Sequence, residues 1–249
     1  MIDKFEISKK AALIRDRLGE ADHSPLDIFS LVQSQLENTS LAIMPLGDNI
    51  SGICVKLDGS AVIGINSAMS LGRQRFSLAH ELYHYYFDDS MSAPSALTIG
   101  GADETEQKAD QFASYLLLPP LALDQMLEEE GLNDKHIEIK DVIKMEQRYG
   151  LSHKAMLFRL LDEGYITKQE HQSLLSNVIS EATRLGFSTH LYKAHIDKPA
   201  RTFGFCVKTA EDLYESGVIS AGKYDEYLLD ANRDDIVYGL EEEGADIID

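Results

Sequence analysis

Residues 73–87 read Arg-Gln-Arg-Phe-Ser-Leu-Ala-His-Glu-Leu-Tyr-His-Tyr-Tyr-Phe, which sets His80 and His84 four positions apart with Glu81 between them. On an α-helix, positions i and i+4 lie one above the other on the same face, so two imidazoles at that spacing can share one tetrahedral metal. Glu81 is not needed as a ligand. Beside the open position of such a metal, a carboxylate can take a proton from water whose acidity the metal raises, which is the chemistry of amide hydrolysis. The chain has 8 histidines in 249 residues. At that composition, His-Glu-x-x-His is expected about 0.02 times per chain, so the pattern points to a site. Phe76, Ala79, Leu82, Tyr83, Tyr86 and Phe87 clothe most of this helix in apolar groups. That predicts burial, and buried histidines need partners.

A catalytic zinc takes three protein ligands and keeps one position open, so a third ligand is expected downstream. Residues 103–120 form a second helical pattern, with an apolar stripe of Ala109, Phe112, Ala113 and Leu116 and a stop at Pro119-Pro120. Glu106 and Asp110 then share a face. Glu-x-x-x-Asp completes a thermolysin-like pattern in which the glutamate binds metal and the aspartate accepts the free ring N–H of a ligand histidine. Glu104 is the rival ligand; Glu106 leads because it pairs with Asp110 at helical spacing.

Asn66, the segment Arg-Gln-Arg-Phe-Ser-Leu-Ala-His-Glu-Leu-Tyr-His and the segment Glu-Gln-Lys-Ala-Asp-Gln-Phe-Ala-Ser-Tyr-Leu-Leu-Leu-Pro resemble the ligand helices of the ImmA/IrrE metallopeptidases. The resemblance covers roughly residues 5–165. It implies a cytoplasmic bacterial endopeptidase, often encoded on mobile elements or in stress loci, that cleaves a helix-turn-helix repressor and releases its genes. The expected fold is α+β: a mainly helical, zincin-like peptidase domain of the gluzincin type with a small β-sheet, over residues 1–165. A mostly helical, acidic partner-binding or regulatory module is expected over 168–249. Tyr83 stands where many members carry glycine, which narrows the space beside the metal. His80, His84 and Glu106 are expected to hold zinc, with manganese admitted by the same donors, Glu81 to act as general base, and Asp110 to orient a histidine. The competing reading is a non-catalytic anti-repressor or antitoxin that sequesters a protein partner.

The formal charge is −19, from 42 acidic and 23 basic side chains. Such a field opposes bare nucleic acid and suits a basic protein partner, and it is equally that of a merely soluble protein. Cys54 and Cys206 form no Cys-x-x-Cys pair and fit a reducing cytosol, both expected as packed core thiols. Neither an apolar leader nor an 18-residue apolar run is present, so a cytoplasmic protein without membrane partners is expected.

Helices are expected over 6–18 and 25–36, the second capped by Ser24-Pro25, followed by strands over 41–44, 52–57 and 61–65 with Asp58-Gly59 as a hairpin turn. Residues 88–103 read as a loop, either a cleft wall or lid or equally a plain surface connection, and Asn66 as a strand-end turn residue. Helices over 139–148 and 153–161 have helix-turn-helix spacing and carry Lys140, Lys144, Arg148, Lys154 and Arg159. DNA reading is weighed against by the overall charge. Further on, 169–185 reads as one helix, 209–240 as three short ones, and 241–249 as a tail.

Overall fold

A computed structural model describes residues 2–88, 95–96, 103–132, 136–194 and 200–240. Apolar residues alternating along 39–66 give three strands, β1 (Thr39–Met44), β2 (Ile50–Leu57) and β3 (Ser60–Asn66). β2 and β3 are antiparallel across the Asp58-Gly59 turn, where both residues have positive φ, as a two-residue hairpin requires. β1 lies on the far side of β3 and parallel to it. Two short strands complete a sheet of order β4-β2-β3-β1-β5: β4 (Ser95–Ala96) and β5 (Arg201–Gly204), each antiparallel to its neighbour. Leu41, Cys54, Ile63 and Ile65 point to the buried face, while Val62 on the other face is 46% exposed. The period-2 pattern therefore sets which face meets the helices.

Against that buried face lies α3 (Leu71–Phe87), the helix with the two histidines. Its entry is fixed by Gln74, whose side-chain amide donates to the carbonyls of Ser67 and Met69 at 3.2 and 2.7 Å. α4 (Glu104–Leu117) runs beside it, started by Asp103, whose carboxylate accepts the Thr105 N–H at 2.6 Å. Pro119-Pro120 ends α4, and Pro120 opens α5 (Pro120–Glu129). The seam between α3 and α4 is aromatic: the ring of Tyr83 lies 5.5 Å from Phe87 and 5.6 Å from Phe112. Tyr83 is thus packed into the core, 4% exposed, with its bulk on the α4 side of the helix.

α1 (Lys4–Arg17) covers α4. From it the buried Arg15 donates to the carbonyls of Leu116, Ala21 and Ser24 at 2.6, 2.6 and 2.5 Å. This occupies Ser24, and α2 (Ile28–Gln35) starts later than the Ser24-Pro25 signal suggests, capped instead by Asp27, which takes the Ser30 hydroxyl at 2.6 Å.

α6 (Ile139–Tyr149) and α7 (His153–Asp162) follow the expected helix-turn-helix spacing about Gly150. Four of the five cations noted there face carboxylates: Lys140 meets Glu138, Lys144 meets Glu130, Arg148 meets Glu129, and Arg159 lies 3.6 Å from Glu163. Arg159 is also 1% exposed, stacked over Tyr115.

The single helix expected over 169–185 is two, α8 (Lys168–Leu174) and α9 (Val178–Arg184), broken where Asn177 takes a left-handed φ of 69°. A 3₁₀ turn at His190–Tyr192 follows, then β5, α10 (Phe205–Glu215), α11 (Ala221–Asp230) and α12 (Asp234–Tyr238). Cys206 is exposed at the start of α10, not packed, because its turn faces away from the sheet's core side; Cys54 is buried. Most of the 88–103 loop and all of the 241–249 tail lie outside the described residues. No helix among the described residues is long and apolar enough to cross a membrane.

Candidate metal centre

His80 and His84 emerge one turn apart from α3, and Glu106 reaches them from the first turn of α4. His80 Nε2 lies 3.2 Å from His84 Nε2 and 3.2 Å from Glu106 Oε2, and His84 Nε2 lies 3.3 Å from Glu106 Oε1. Among the described residues this is the one cluster of three His, Cys, Asp or Glu side chains whose ligand atoms all converge. Glu104, by contrast, is exposed and pairs with Lys108 at 2.7 Å.

The opposite side of each ring is also held. His80 Nδ1 lies 2.9 Å from Asp110 Oδ1, and His84 Nδ1 lies 3.1 Å from Asp88 Oδ2. A carboxylate at Nδ1 takes the N–H there and leaves the Nε2 lone pair aimed inward, as a metal ligand needs. Asp110 is the residue expected for this role at His80. Asp88 does the same for His84 without a sequence signal of its own: it stands four residues after His84, the same spacing that links the histidines, but in a stretch that reads as loop.

The donor set fits a divalent metal. Two ligands of a tetrahedral ion at about 2.0–2.1 Å are separated by about 3.3–3.4 Å, which the nitrogen–nitrogen and nitrogen–oxygen spacings of 3.2 to 3.3 Å approach. Without an ion, the same groups behave as an acid–base cluster. Burial pulls the His80 pKa down, but the hydrogen bonds to Asp110 and Glu106 outweigh it and raise it to about 9. The hydrogen bonds from His80 and His84 hold Glu106 down at about 2.

Glu81 is wholly buried, between α3 and β2. Its carboxylate sits in a notch made by Gly52, where a Cβ would come within 2.7 Å of Glu81 Oε1. Cys54, two residues along the same face of β2, is close enough for Glu81 to raise its pKa; burial first, then that charge, push the thiol up to about 12. It is not among the side chains whose ligand atoms converge.

The backbone around the centre is tied down. Lys56 on β2 donates its ammonium to the carbonyls of His84 and Tyr85 at 2.9 and 3.2 Å, and to that of Asp88. Asn66, at the end of β3, accepts the Ala68 N–H at 3.0 Å and donates to the carbonyls of Gly47 and Ile50 at 2.8 and 2.7 Å, so it locks the strand end before α3. The nearby tyrosine hydroxyls have other partners, Tyr85 with Thr39 and Tyr115 with Glu163.

Residues 41–161 match the family model described as Peptidase M78, an IrrE N-terminal-like domain. Both ligand-bearing helices and the sheet residues that face them fall inside that span. No curated protein matches the chain.

Proposed function

This chain belongs to the ImmA/IrrE family through its residues 41–161, and from that premise we propose that it is a metal-dependent endopeptidase whose substrate is a helix-turn-helix repressor of the XRE type, cut to relieve repression. The observation that carries the reading is the buried Glu81 carboxylate, seated in the Gly52 notch next to the convergent His80, His84 and Glu106. A purely structural metal would not need that carboxylate.

A divalent cation at the three ligands, zinc by donor type with manganese admitted, supplies Lewis-acid polarisation and acidifies water. Asp110 and Asp88 keep each imidazole in the tautomer with Nδ1–H outward and the Nε2 lone pair inward. Glu81 takes a proton from the attacking water and delivers it to the leaving amine nitrogen, the general base and then the general acid of one hydrolysis. Among the described residues, the outer edge of β2 is paired only at Ile50 and Gly52, with Ala96 and Ser95. The part of that edge beside Glu81, at Gly52, is the part that β4 takes, so an extended substrate segment would add to β2 beyond it, along 53–57. The charge of −19 suits a substrate with a basic DNA-binding face.

The test incubates metal-loaded wild type and Glu81→Gln with purified helix-turn-helix regulators of the XRE type from the same genome and reads products by intact-mass spectrometry. One defined cut by wild type and none by the variant is expected. If both proteins bind the regulator and leave it whole, the peptidase reading fails in favour of sequestration.

A further inference from the structure

Glu146 and His153 form a buried pair that lies apart from the metal centre. They stand on either side of the turn at Gly150, Glu146 on α6 and His153 at the start of α7, with His153 Nδ1 2.6 Å from Glu146 Oε1. Residues of α8 and the 3₁₀ turn close over both. His153 Nε2 lies 2.8 Å from the carbonyl of Leu174, the last residue of α8, and the Tyr192 hydroxyl donates to Glu146 Oε2 at 2.8 Å. Just beyond Tyr192 the same segment docks on the start of α3: the Leu71 N–H donates to the Lys193 carbonyl at 3.1 Å, and Ser70 bridges Ala194. The pair therefore lies where residues 168–194 meet the family-matched part of the chain.

The partners of His153 dictate its protonation. A carbonyl oxygen only accepts, so Nε2 carries a hydrogen. Nδ1 faces a carboxylate whose other oxygen accepts from Tyr192, and hydrogen bonds of this kind favour the ionised carboxylate and the protonated ring. The pair is thus an imidazolium and a carboxylate sharing one proton. Its other surroundings resist a cation. Arg73 of α3, Lys154 of α7 and His171 of α8 line the same cavity of about 640 Å³ as His153 and Tyr192, with Asp110 as the charge partner of Arg73. His153 also stands in the first turn of α7, where the helix dipole disfavours positive charge. Burial pulls the His153 pKa down, yet the hydrogen bond and charge of Glu146 outweigh it and the shift is upward. Burial pushes Glu146 upward against the pull of His153; burial and then Glu146 push Tyr192 upward, so its hydroxyl remains the donor.

We propose that this shared proton is a latch: while it is present, Glu146 and His153 hold residues 168–194 against α6, α7 and the start of α3, and its loss at rising pH loosens that segment. Once the ring is deprotonated, a bare Nδ1 faces the Glu146 carboxylate with no hydrogen between them, and a buried charge is left without its partner. The sign follows from linkage. The docked segment keeps the proton above the ordinary histidine value of about 6.5, whereas an undocked, solvated His153 releases it near that value. Docking is therefore strongest below about pH 6.5 and weakens by up to about tenfold per unit above it, until the docked pair has lost its proton as well. This device belongs to the fold and does not depend on the peptidase reading.

Two measurements on the full-length chain test it. In nitrogen-15 spectra of histidine-labelled protein at about pH 7.5, where an ordinary histidine is about nine-tenths neutral, His153 is expected to carry hydrogen on both ring nitrogens. A neutral ring there overturns the proposal, and this reading needs no variant. Hydrogen exchange of peptides from 168–194, corrected for the chemical rate at each pH, is expected to quicken about tenfold between about pH 6.5 and 9 while α4 stays protected. Glu146→Gln keeps the shape and lets the amide donate to a neutral His153, so its corrected exchange is expected to stay within about twofold over that range. His171→Asn removes the other histidine of the cavity and is expected to keep the wild-type slope. Wild-type exchange that does not change with pH, a folded Glu146→Gln protein with the wild-type slope, or a slope lost in His171→Asn overturns the latch.

Discussion

Gly52 on β2 and Glu81 on α3 are in contact across the sheet–helix interface, so close that a methyl group at position 52 would lie 2.7 Å from Glu81 Oε1 and 3.0 Å from its Cγ. The carboxylate is wholly buried and has little room to yield except by changing rotamer. Gly52→Ala should therefore displace Glu81 while leaving the histidines in place. The backbone at Gly52 does not need a positive φ, so folding should be disturbed by only about 1 kcal/mol. Expected are a fall in kcat of about a hundredfold and unchanged metal affinity. Metal affinity falling in step with turnover would show instead that the whole centre had shifted.

Asp110 and Asp88 each hold one imidazole, at 2.9 and 3.1 Å, and their side chains are 7% and 17% exposed. Replacing either by asparagine keeps the shape but removes the charge that holds Nδ1–H. Metal affinity, measured by chelator competition, should drop about 10- to 100-fold. The more buried Asp110 should give the larger loss; equal affinities for all three proteins would remove the carboxylates from any role in holding the rings.

Much of this centre could be read from the chain before any coordinates. His80, His84, Glu106 and Asp110 are related by helical spacings, and periodicity is what a sequence displays most directly. Asp88 obeys the same spacing from His84 and was hidden only because the apolar pattern stops at Phe87. Lys56 and Gly52 were not legible, since their partners lie about thirty residues away across a strand–helix contact and no local pattern marks them. The same distinction holds for the fold. The hairpin of β2 and β3 announced itself through Asp58-Gly59, whereas β5 has four residues whose partner, β1, is some 160 positions earlier. The break at Asn177 was invisible because Leu174, Leu175, Val178, Ile179 and Ala182 continue a helical rhythm across it, and neither glycine nor proline interrupts them.

Lys56 donates to three carbonyls at the C-terminal end of α3, those of His84, Tyr85 and Asp88. The His84 carbonyl also takes the Asp88 N–H at 3.3 Å, those of Tyr85 and Asp88 lie where a helix end runs out of internal donors, and a cation there also opposes the helix dipole. Lys56→Met keeps the length of the stem and should cost about 1–3 kcal/mol in a denaturant titration. Because His84 and Asp88 both sit on this last turn, metal affinity should weaken as well. A variant with lower stability but wild-type metal affinity would confine Lys56 to holding the fold.

Metal binding should also depend on pH in a direction that the metal-free cluster dictates. With its pKa near 9, His80 carries a proton on the acidic side of that value, and His84 is raised too, against burial, by its hydrogen bond to Glu106. An ion needs the Nε2 lone pairs, so binding must expel those protons, and acidification works against it. Apparent affinity should be greatest above about pH 9 and fall about tenfold per pH unit for each proton released below it. Glu106, held down at about 2, stays ionised throughout pH 5–9, so the loss in that range belongs to the histidines. Calorimetric titration with zinc in buffers of different ionisation enthalpy counts the protons directly. Asp110 gives the strongest of the contributions that raise His80, so Asp110→Asn should move the onset of the loss to lower pH even as it weakens binding overall. A profile flat from pH 6 to 9 in wild type would mean that the imidazoles are already neutral in the empty site.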